Sequence, residues 1–265
     1  MNDNQNKKVV SFCLYGDTKK YTHGMIEAVV SYKLFFIGWE IWIYVSEKTV
    51  PNNVIEILEN FNCKIIKMNE KGDKFEMTGV GKNENNEPMF WRFSPLYDKD
   101  VHFWISRDGD SRASLREKKM VDEFMESDKA INSILDQRCH HGLMGGMGGF
   151  NNKKLHSYNI KHFDEYIERF AKANGRTQRG SDQSWLREAF EMPIRNKDIF
   201  LHICKGWFSE TKPIENAEFL FNIKFNELTY KLTENVSDFI GRQINVDNTP
   251  QDIKCRNNVF LPFAF

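Results

Sequence analysis

Three short apolar runs, Val9–Tyr15, Trp39–Val45 and Cys63–Met68, most constrain what this chain can fold into. The first is continuous, the pattern of a strand buried on both faces. Between the first two lies a helical pattern through Met25, Val29, Leu34 and Phe36. Between the second and third, Pro51 stands near a helix start, followed by Val54, Ile57, Leu58 and Phe61 on one face. Strand and helix alternate from the start. This predicts an α/β domain, a single Rossmann-like, mostly parallel sheet with helices on both faces. Gly16 to Gly24 is expected to be a polar loop bounded by glycines.

A fourth strand is expected over Val101–Ile105, and it ends in Arg107-Asp108-Gly109-Asp110. Ser114-Leu-Arg-Glu117 then opens a helix with a capping box, in which hydroxyl and carboxylate satisfy two orphan amides reciprocally. Asp-x-Asp alone is also a common solvated turn. Here the pair follows a buried strand and precedes a capped helix, and open α/β sheets bind ligands at the carboxyl ends of strands. Two adjacent carboxylates repel unless a cation lies between them, and a hard divalent ion with oxygen ligands suits that place. Gly109 is expected to give the turn unusual dihedrals and to let a ligand approach the backbone. An EF-hand is excluded, because Arg112, Ala113 and Lys119 stand where it needs an acid, a glycine and a bidentate Glu. The chain has no Gly-Lys-Ser/Thr phosphate loop.

Residues 70 to 88 are charged and rich in Gly and Asn, a loop by composition. Met89–Phe93 is expected to be helical and to pack under the acidic strand. After Ser114 a helix to about Ser127 presents Leu115, Met120, Val121, Phe124 and Met125 on one face, and Ala130–Leu135 reads as another strand. The glycine-rich stretch from Gly142 to Gly149 carries Leu143, Met144 and Met147 between its glycines. That interleaving points to backbone pressed against a ligand rather than to a linker. His140 and His141 lack further ligands at metal spacing, so His140 is assigned a structural or substrate contact and not zinc. Ile160–Ala173 is amphipathic. A second helix opens at Arg179-Gly-Ser-Asp182-Gln183, where Ser181 or Asp182 could serve simply as N-cap. Ile199–His202 is a short late strand, followed by Lys205. From Ile214 the alternation fades, and 219–232 reads as a hairpin or extension. The Phe-rich end is expected to dock on the body.

The chain of 265 residues is read as one domain, with an α/β core over 9–205 and a C-terminal extension over 206–265. Lysine plus arginine and aspartate plus glutamate both number 37, so no net charge argues for nucleic acid. Five scattered cysteines without a C-x-x-C suit a reducing compartment, and a cytoplasmic protein is expected. No run approaches the ~20 apolar residues of a membrane span.

Taken together, Tyr15-Gly16-Asp17, Lys20-Tyr-Thr-His23-Gly24-Met25-Ile-Glu27, Phe90-Trp91-Arg92-Phe93, Arg107-Asp-Gly-Asp-Ser-Arg112 with Arg116-Glu117, Gly145-Gly146-Met147 and Gly180-Ser-Asp-Gln183 resemble a family of nucleotide-sugar glycosyltransferases of the GT-A fold. Its members occur in bacterial capsule clusters and in large DNA viruses that glycosylate their own capsids or fibres. The resemblance runs from about Val9 to His202. The family pattern around Asp136 usually reads Arg-Asp-His-Pro-Tyr-His, of which the Asp and His140 remain. Gly148 stands where a Trp is common.

The resemblance implies a GT-A-like fold and a site. Asp108 and Asp110 would bind Mn²⁺ or Mg²⁺, with His202 completing the shell. Tyr15, Gly16 and Asp17 would edge the nucleotide pocket, with Lys20 and His23 near base, ribose or phosphates. Arg92 would belong to the same donor site, Arg107 and Arg112 would counter phosphate charge, and Lys205 would reach the leaving phosphate. Asp182 and Gln183 would sit beside the transferring sugar. Asp136, His140, Gly145 and Gly146 would line the acceptor or sugar pocket. The donor would be a UDP or GDP sugar and the acceptor a glycan or glycoprotein. Transfer would retain the anomeric configuration, with inversion by Asp182 as base the alternative. Another metal-dependent phosphate enzyme, a nucleotide-sugar-binding protein without turnover, and a structural protein whose acid pair is only a turn are the other readings of these residues.

Overall fold

A computed structural model describes residues 7–69, 87–136, 140, 142–174, 180–191, 194 and 198–204, and short strands at 219–220, 223–224 and 229–233. The expectations for the 70–86 loop, for Lys205 and for the Phe-rich end lie outside the described residues.

The three apolar runs form β1 (Lys7–Leu14), β2 (Glu40–Ser46) and β3 (Lys64–Met68), joined by α1 (Lys19–Phe35) and α2 (Asn52–Asn60). Next come α3 (Pro88–Trp91), a 3-10 turn (Ser94–Tyr97), β4 (Val101–Ser106) and α4 (Leu115–Glu126). They are followed by β5 (Ile131–Leu135), β6 (Gly149–Asn151), α5 (Asn152–Leu155), α6 (Phe163–Asn174), α7 (Ser181–Leu186), a π-helical turn over Arg187–Glu191, and β7 (Ile199–Cys204). A two-stranded antiparallel pair, β8 (Phe219–Leu220) and β9 (Ile223–Lys224), precedes β10 (Thr229–Thr233).

The main sheet has the order β10-β7-β5-β6-β4-β1-β2-β3. It is parallel at every described pairing except those of β6, which runs antiparallel between β4 and β5. The expected mostly parallel α/β sheet is therefore present. The antiparallel wedge β6 is the part its sequence did not announce, since it grows from the end of the glycine-rich stretch. Phe150 anchors it by stacking on Trp104 with ring centroids 3.9 Å apart. β10, from the presumed extension, continues the sheet beside β7.

Alternation along β1 assigns its two faces. Val10, Phe12 and Leu14 pack with Met25, Val29 and Tyr32 of α1, Leu58 of α2 and Val121 of α4. Val9 faces the opposite cluster, built from Phe90, Phe93, Trp104, Phe150, Phe163, Trp185 and Phe190. Each aromatic ring buried there removes on the order of 150–250 Å² from water, which makes this cluster the main holding force on that face. The helices thus cover both faces, as expected.

Local departures have physical causes. α1 begins at Lys19, six residues before Met25, because Thr18 adopts extended dihedrals and its carbonyl accepts from Tyr21 and Thr22. Lys20 and His23 therefore sit on the first turns of a helix and not in a loop. The Met89–Phe93 segment makes only one α-turn, bounded by Pro88 and re-tightened at Pro95. Leu115 is 71% exposed and not a core residue, since the inward position of that first turn is taken by Glu117.

Candidate functional site

Chain order reverses at β1. β2 and β3 lie to one side of it and β4 to the other. The crevice outside the carboxyl ends of β1 and β4 is thus a topological switch point, the place where open α/β sheets bind ligands. The turn Arg107–Asp110 leaves β4 there, and Tyr15 and Gly16 leave β1 beside it. Arg107 N donates to Ser11 O at 3.0 Å, tying the two strand ends together.

Asp110 is buried, and Lys20 Nζ lies 3.2 Å from its Oδ2. Lys20 thus pairs with Oδ2 as an ion, and this buried oxygen accepts no further hydrogen bond. Burial, and then the neighbouring charge of Asp108, push the Asp110 carboxyl above the usual carboxylate range, and Lys20 opposes the shift. Asp108 is more open, with its side chain 36% exposed.

Arg92 joins this pair to a third acid. Its Nη1 donates to Asp108 Oδ1 and its Nη2 to Asp182 Oδ2 at 2.7 Å, while its side chain is only 2% exposed. Burial works against its charge, but the carboxylates of Asp108 and Asp182 hold the guanidinium above its usual range. Ser11 Oγ donates to Arg92 O at 2.7 Å and pins the segment to β1. Asp182 occupies the first turn of α7, entered through Gly180 at φ 86. Gly180 is the N-cap, so neither Ser181 nor Asp182 is spent on that duty. Gln183 is half-buried on the next position of α7, and its amide donates to Gly180 O.

The glycine-rich stretch closes the cluster. A Cβ on Gly145 would strike Arg92 Nη2 and come within 2.8 Å of Asp182 Oδ2. One on Gly146 would strike the Asp108 carboxylate. On the other side, a Cβ on Gly24 would lie 2.9 Å from Gly109 O, so α1 packs directly on the acid turn. Gly109 has no left-handed φ among the described residues. Its missing side chain makes room for Met25 Cε, which corrects the expected backbone role and ligand approach.

Several expected residues are placed elsewhere. Arg107 is buried with Nε 2.5 Å from Glu117 Oε1 and Nη1 on the carbonyls of Ser106 and Gly148 at 2.7 and 2.8 Å. Tyr32 donates its hydroxyl to the same Glu117 at 2.9 Å. This corrects Arg107 as a phosphate contact, because its charge is consumed inside. Glu117 accordingly gives only half the expected capping box: its amide donates to Ser114 Oγ at 3.2 Å, while its carboxylate turns inward. Arg112 Nη1 donates to Gly24 O at 3.2 Å and Ser111 O at 3.0 Å, so it fastens the acid turn to α1.

His202 is wholly buried in mid-strand, with Nδ1 2.9 Å from Asn132 Oδ1 and Nε2 3.2 Å from Glu123 Oε2. Two further residues of β7 follow it, so it is not at a strand end and does not join the acid pair. Among the described residues no group of three or more His, Cys, Asp and Glu could hold a metal ion. Asp136 receives both Nη atoms of Arg116, at 2.6 and 2.7 Å, and its amide donates to His140 Nδ1 at 3.1 Å. Asp136 and His140 are thus bonded to each other, and the Asp136 carboxylate to Arg116, within the protein. Asp17 and His23 are exposed, and Gly16, at φ 76, donates its amide to Thr49 Oγ1 at 2.8 Å.

Cys13, which its sequence did not single out, lies in the field of Arg92, Asp108 and Asp182, and burial pushes its thiol up to about 12. Tyr15 is likewise raised, first by burial. Alternation along β1 could have found Cys13, since it shares a face with Ser11. Tyr32 and Thr49 carried no comparable signal, for their roles depend on long-range packing.

No protein-family model matches this chain, and no curated protein matches it. Among solved structures it is similar to 4-diphosphocytidyl-2C-methyl-D-erythritol synthase from Anaerococcus prevotii DSM 20548, at 11% identity over 75% of this chain and 89% of that one, with TM-score 0.45. It is also similar to a glycosyltransferase involved in the glycosylation of the major capsid of PBCV-1, at 9% identity over 74% and 81%, TM-score 0.42. A third is S. aureus TarS 1-349, at 13% identity over 70% and 55%, TM-score 0.41. Likenesses this slight carry no chemistry, and the site is read from its own residues. No described helix is long and apolar enough to cross a membrane.

Proposed function

We propose that this protein is a glycosyltransferase of GT-A type that uses a divalent cation, Mn²⁺ or Mg²⁺, to move a sugar from a UDP or GDP sugar to a glycan or glycoprotein. The observation that carries the proposal is the Asp108–Asp110 turn at the switch point, with Asp110 buried and paired to Lys20 and a third acid, Asp182, gathered beside it through Arg92.

The donor set fits a hard cation. Two carboxylates at one turn, one held above its usual protonation range, gain most from a nearby positive charge. With only two protein acids, such an ion keeps open positions for phosphate oxygens, as Mg²⁺ does at phosphate sites. Bound there, it would act as Lewis acid on the diphosphate and make the nucleotide a better leaving group.

The chain's own groups do the rest. Lys20, on the first turn of α1, adds positive charge beside Asp110 where the helix amides also point outward. Tyr15 and Gly16 form the edge of the nucleotide pocket. Gly145 and Gly146 bring bare backbone against Arg92 and the acids and so let the cluster assemble. Asp182 orients that sugar. Its Oδ2 is already taken by Arg92, which suits a positioning role and a retaining transfer better than removal of an acceptor proton. Arg107, Arg112 and Glu117 hold the turn in place.

Thermal stability measured against a panel of nucleotide sugars, each with and without Mn²⁺, tests the reading. A shift for one donor that requires Mn²⁺ and is lost in Asp110→Ala supports it. Ligands that shift stability equally without metal, or in Asp110→Ala, count against it.

A further inference from the structure

Arg92 holds two carboxylates drawn from distant parts of the fold. Nη1 serves Asp108, in the turn after β4, and Nη2 serves Asp182, on α7. Its Nε is buried with no hydrogen-bond partner. The Asp108 carboxylate, still partly open to solvent, has Arg92 on Oδ1 and Gly146 close against Oδ2. Gly145 lies as tightly against Arg92 Nη2 and Asp182 Oδ2. The guanidinium cannot swing freely in this cradle, and it cannot be deprotonated.

We propose that Arg92 is a positioning residue acting as the internal counter-cation of the acid cluster, competing with a divalent ion for Asp108 and passing the ion's arrival to Asp182. This rests on the reading of Asp108 and Asp110 as a metal-binding pair. A divalent ion and a guanidinium sharing one carboxylate repel each other, and the burial of Arg92 lessens the screening of that repulsion. When an ion takes Asp108, the charge of Arg92 falls more fully on Asp182. That tightens the side chain which orients the sugar. The ion-free protein is meanwhile spared part of the repulsion among three carboxylates, because Arg92 shares its single charge between Asp108 and Asp182 and Lys20 pairs with Asp110.

The competition fixes the sign of a mutation. If Arg92 only scaffolds the turn, its removal weakens metal binding. If it competes, its removal strengthens metal binding although donor use declines. The test is a titration of metal-free full-length protein with Mn²⁺ alone, following free Mn²⁺ by electron paramagnetic resonance. The proteins are wild type, Arg92→Gln, Arg92→Lys and Asp110→Asn, each checked for folding by circular dichroism. Arg92→Gln is expected to bind Mn²⁺ about tenfold more tightly than wild type. Arg92→Lys, whose point charge cannot bridge both acids, is expected to lie between them, and it decides the matter if the glutamine variant does not fold. Equal or weaker Mn²⁺ binding in a folded Arg92 variant overturns the inference. If wild type itself binds no Mn²⁺, or Asp110→Asn binds it as wild type does, the metal-pair reading fails first and this inference falls with it.

Discussion

Arg107 and Glu117 meet in a buried ion pair, Nε to Oε1 at 2.5 Å, directly beneath the turn that carries Asp108 and Asp110. The pair links the end of β4 to the first turn of α4, and Tyr32 adds α1 to the same carboxylate. Removing one partner leaves the other charge buried and uncompensated, at a cost of roughly 3–5 kcal/mol. Glu117→Ala is therefore expected to lose about that much stability in urea unfolding. A loss under about 1 kcal/mol, the range of an exposed pair, would contradict the assignment.

Asp110 is expected to destabilise the metal-free protein. Its folded-state pKa is raised above the ordinary value of 3.8, so the folded state holds the proton more tightly than the unfolded one. Stability from this group is then present at pH below the ordinary value and lost as pH rises through the raised one. Asp110→Asn should be more stable than wild type at neutral pH without metal, and the difference should vanish toward pH 3.8. Thermal unfolding of both proteins across that range measures it. Wild type more stable than the variant at neutral pH without metal would be the wrong sign.

Gly145 and Gly146 are expected to tolerate no side chain. Gly146→Ala drives a methyl into the Asp108 carboxylate, and Gly145→Ala drives one between Arg92 and Asp182. Displacements of this size cost on the order of 100-fold in activity when they fall on positioned groups. Donor turnover of both variants, at unchanged secondary structure, checks this. Wild-type turnover from either would mean that the glycine stretch is not part of the site.

His202→Asn is expected to leave Mn²⁺ affinity unchanged and to lower stability by about 1–3 kcal/mol, because it strips partners from buried Asn132 and from Glu123. A tenfold loss of Mn²⁺ affinity in a folded variant would restore His202 to the metal shell.

Much of the fold was legible because continuous apolar runs and 3.6-residue spacing are local signals. β1, β2 and β3 and the helices between them follow from them directly. β6 was not legible, since a three-residue strand is specified by its neighbours and by the stacking of Phe150 on Trp104 rather than by its own composition. Within the site, Asp108, Asp110, Gly145, Gly146 and Asp182 were found as motif residues and are brought together. What Arg92 and Arg107 do was not legible, because sequence spacing does not say which carboxylate an arginine will meet. Arg92 lies 16 residues from Asp108 and 90 from Asp182, whereas Arg107 turns inward to Glu117. His202 is placed apart from the acid pair for a related reason. A strand's last residues are hard to fix from sequence, and two more residues of β7 place it in the core.

The central claim is that the Asp108–Asp110 turn binds a nucleotide sugar through a divalent ion. The most direct measurement is the thermal shift of full-length wild type and Asp110→Ala with a panel of nucleotide sugars, each with and without Mn²⁺. One sugar nucleotide that raises the midpoint of wild type only when Mn²⁺ is present, and leaves Asp110→Ala unmoved, is the predicted result. No shift with any donor, with or without metal, would contradict it and leave the acid pair as a structural turn held by Arg92 and Lys20.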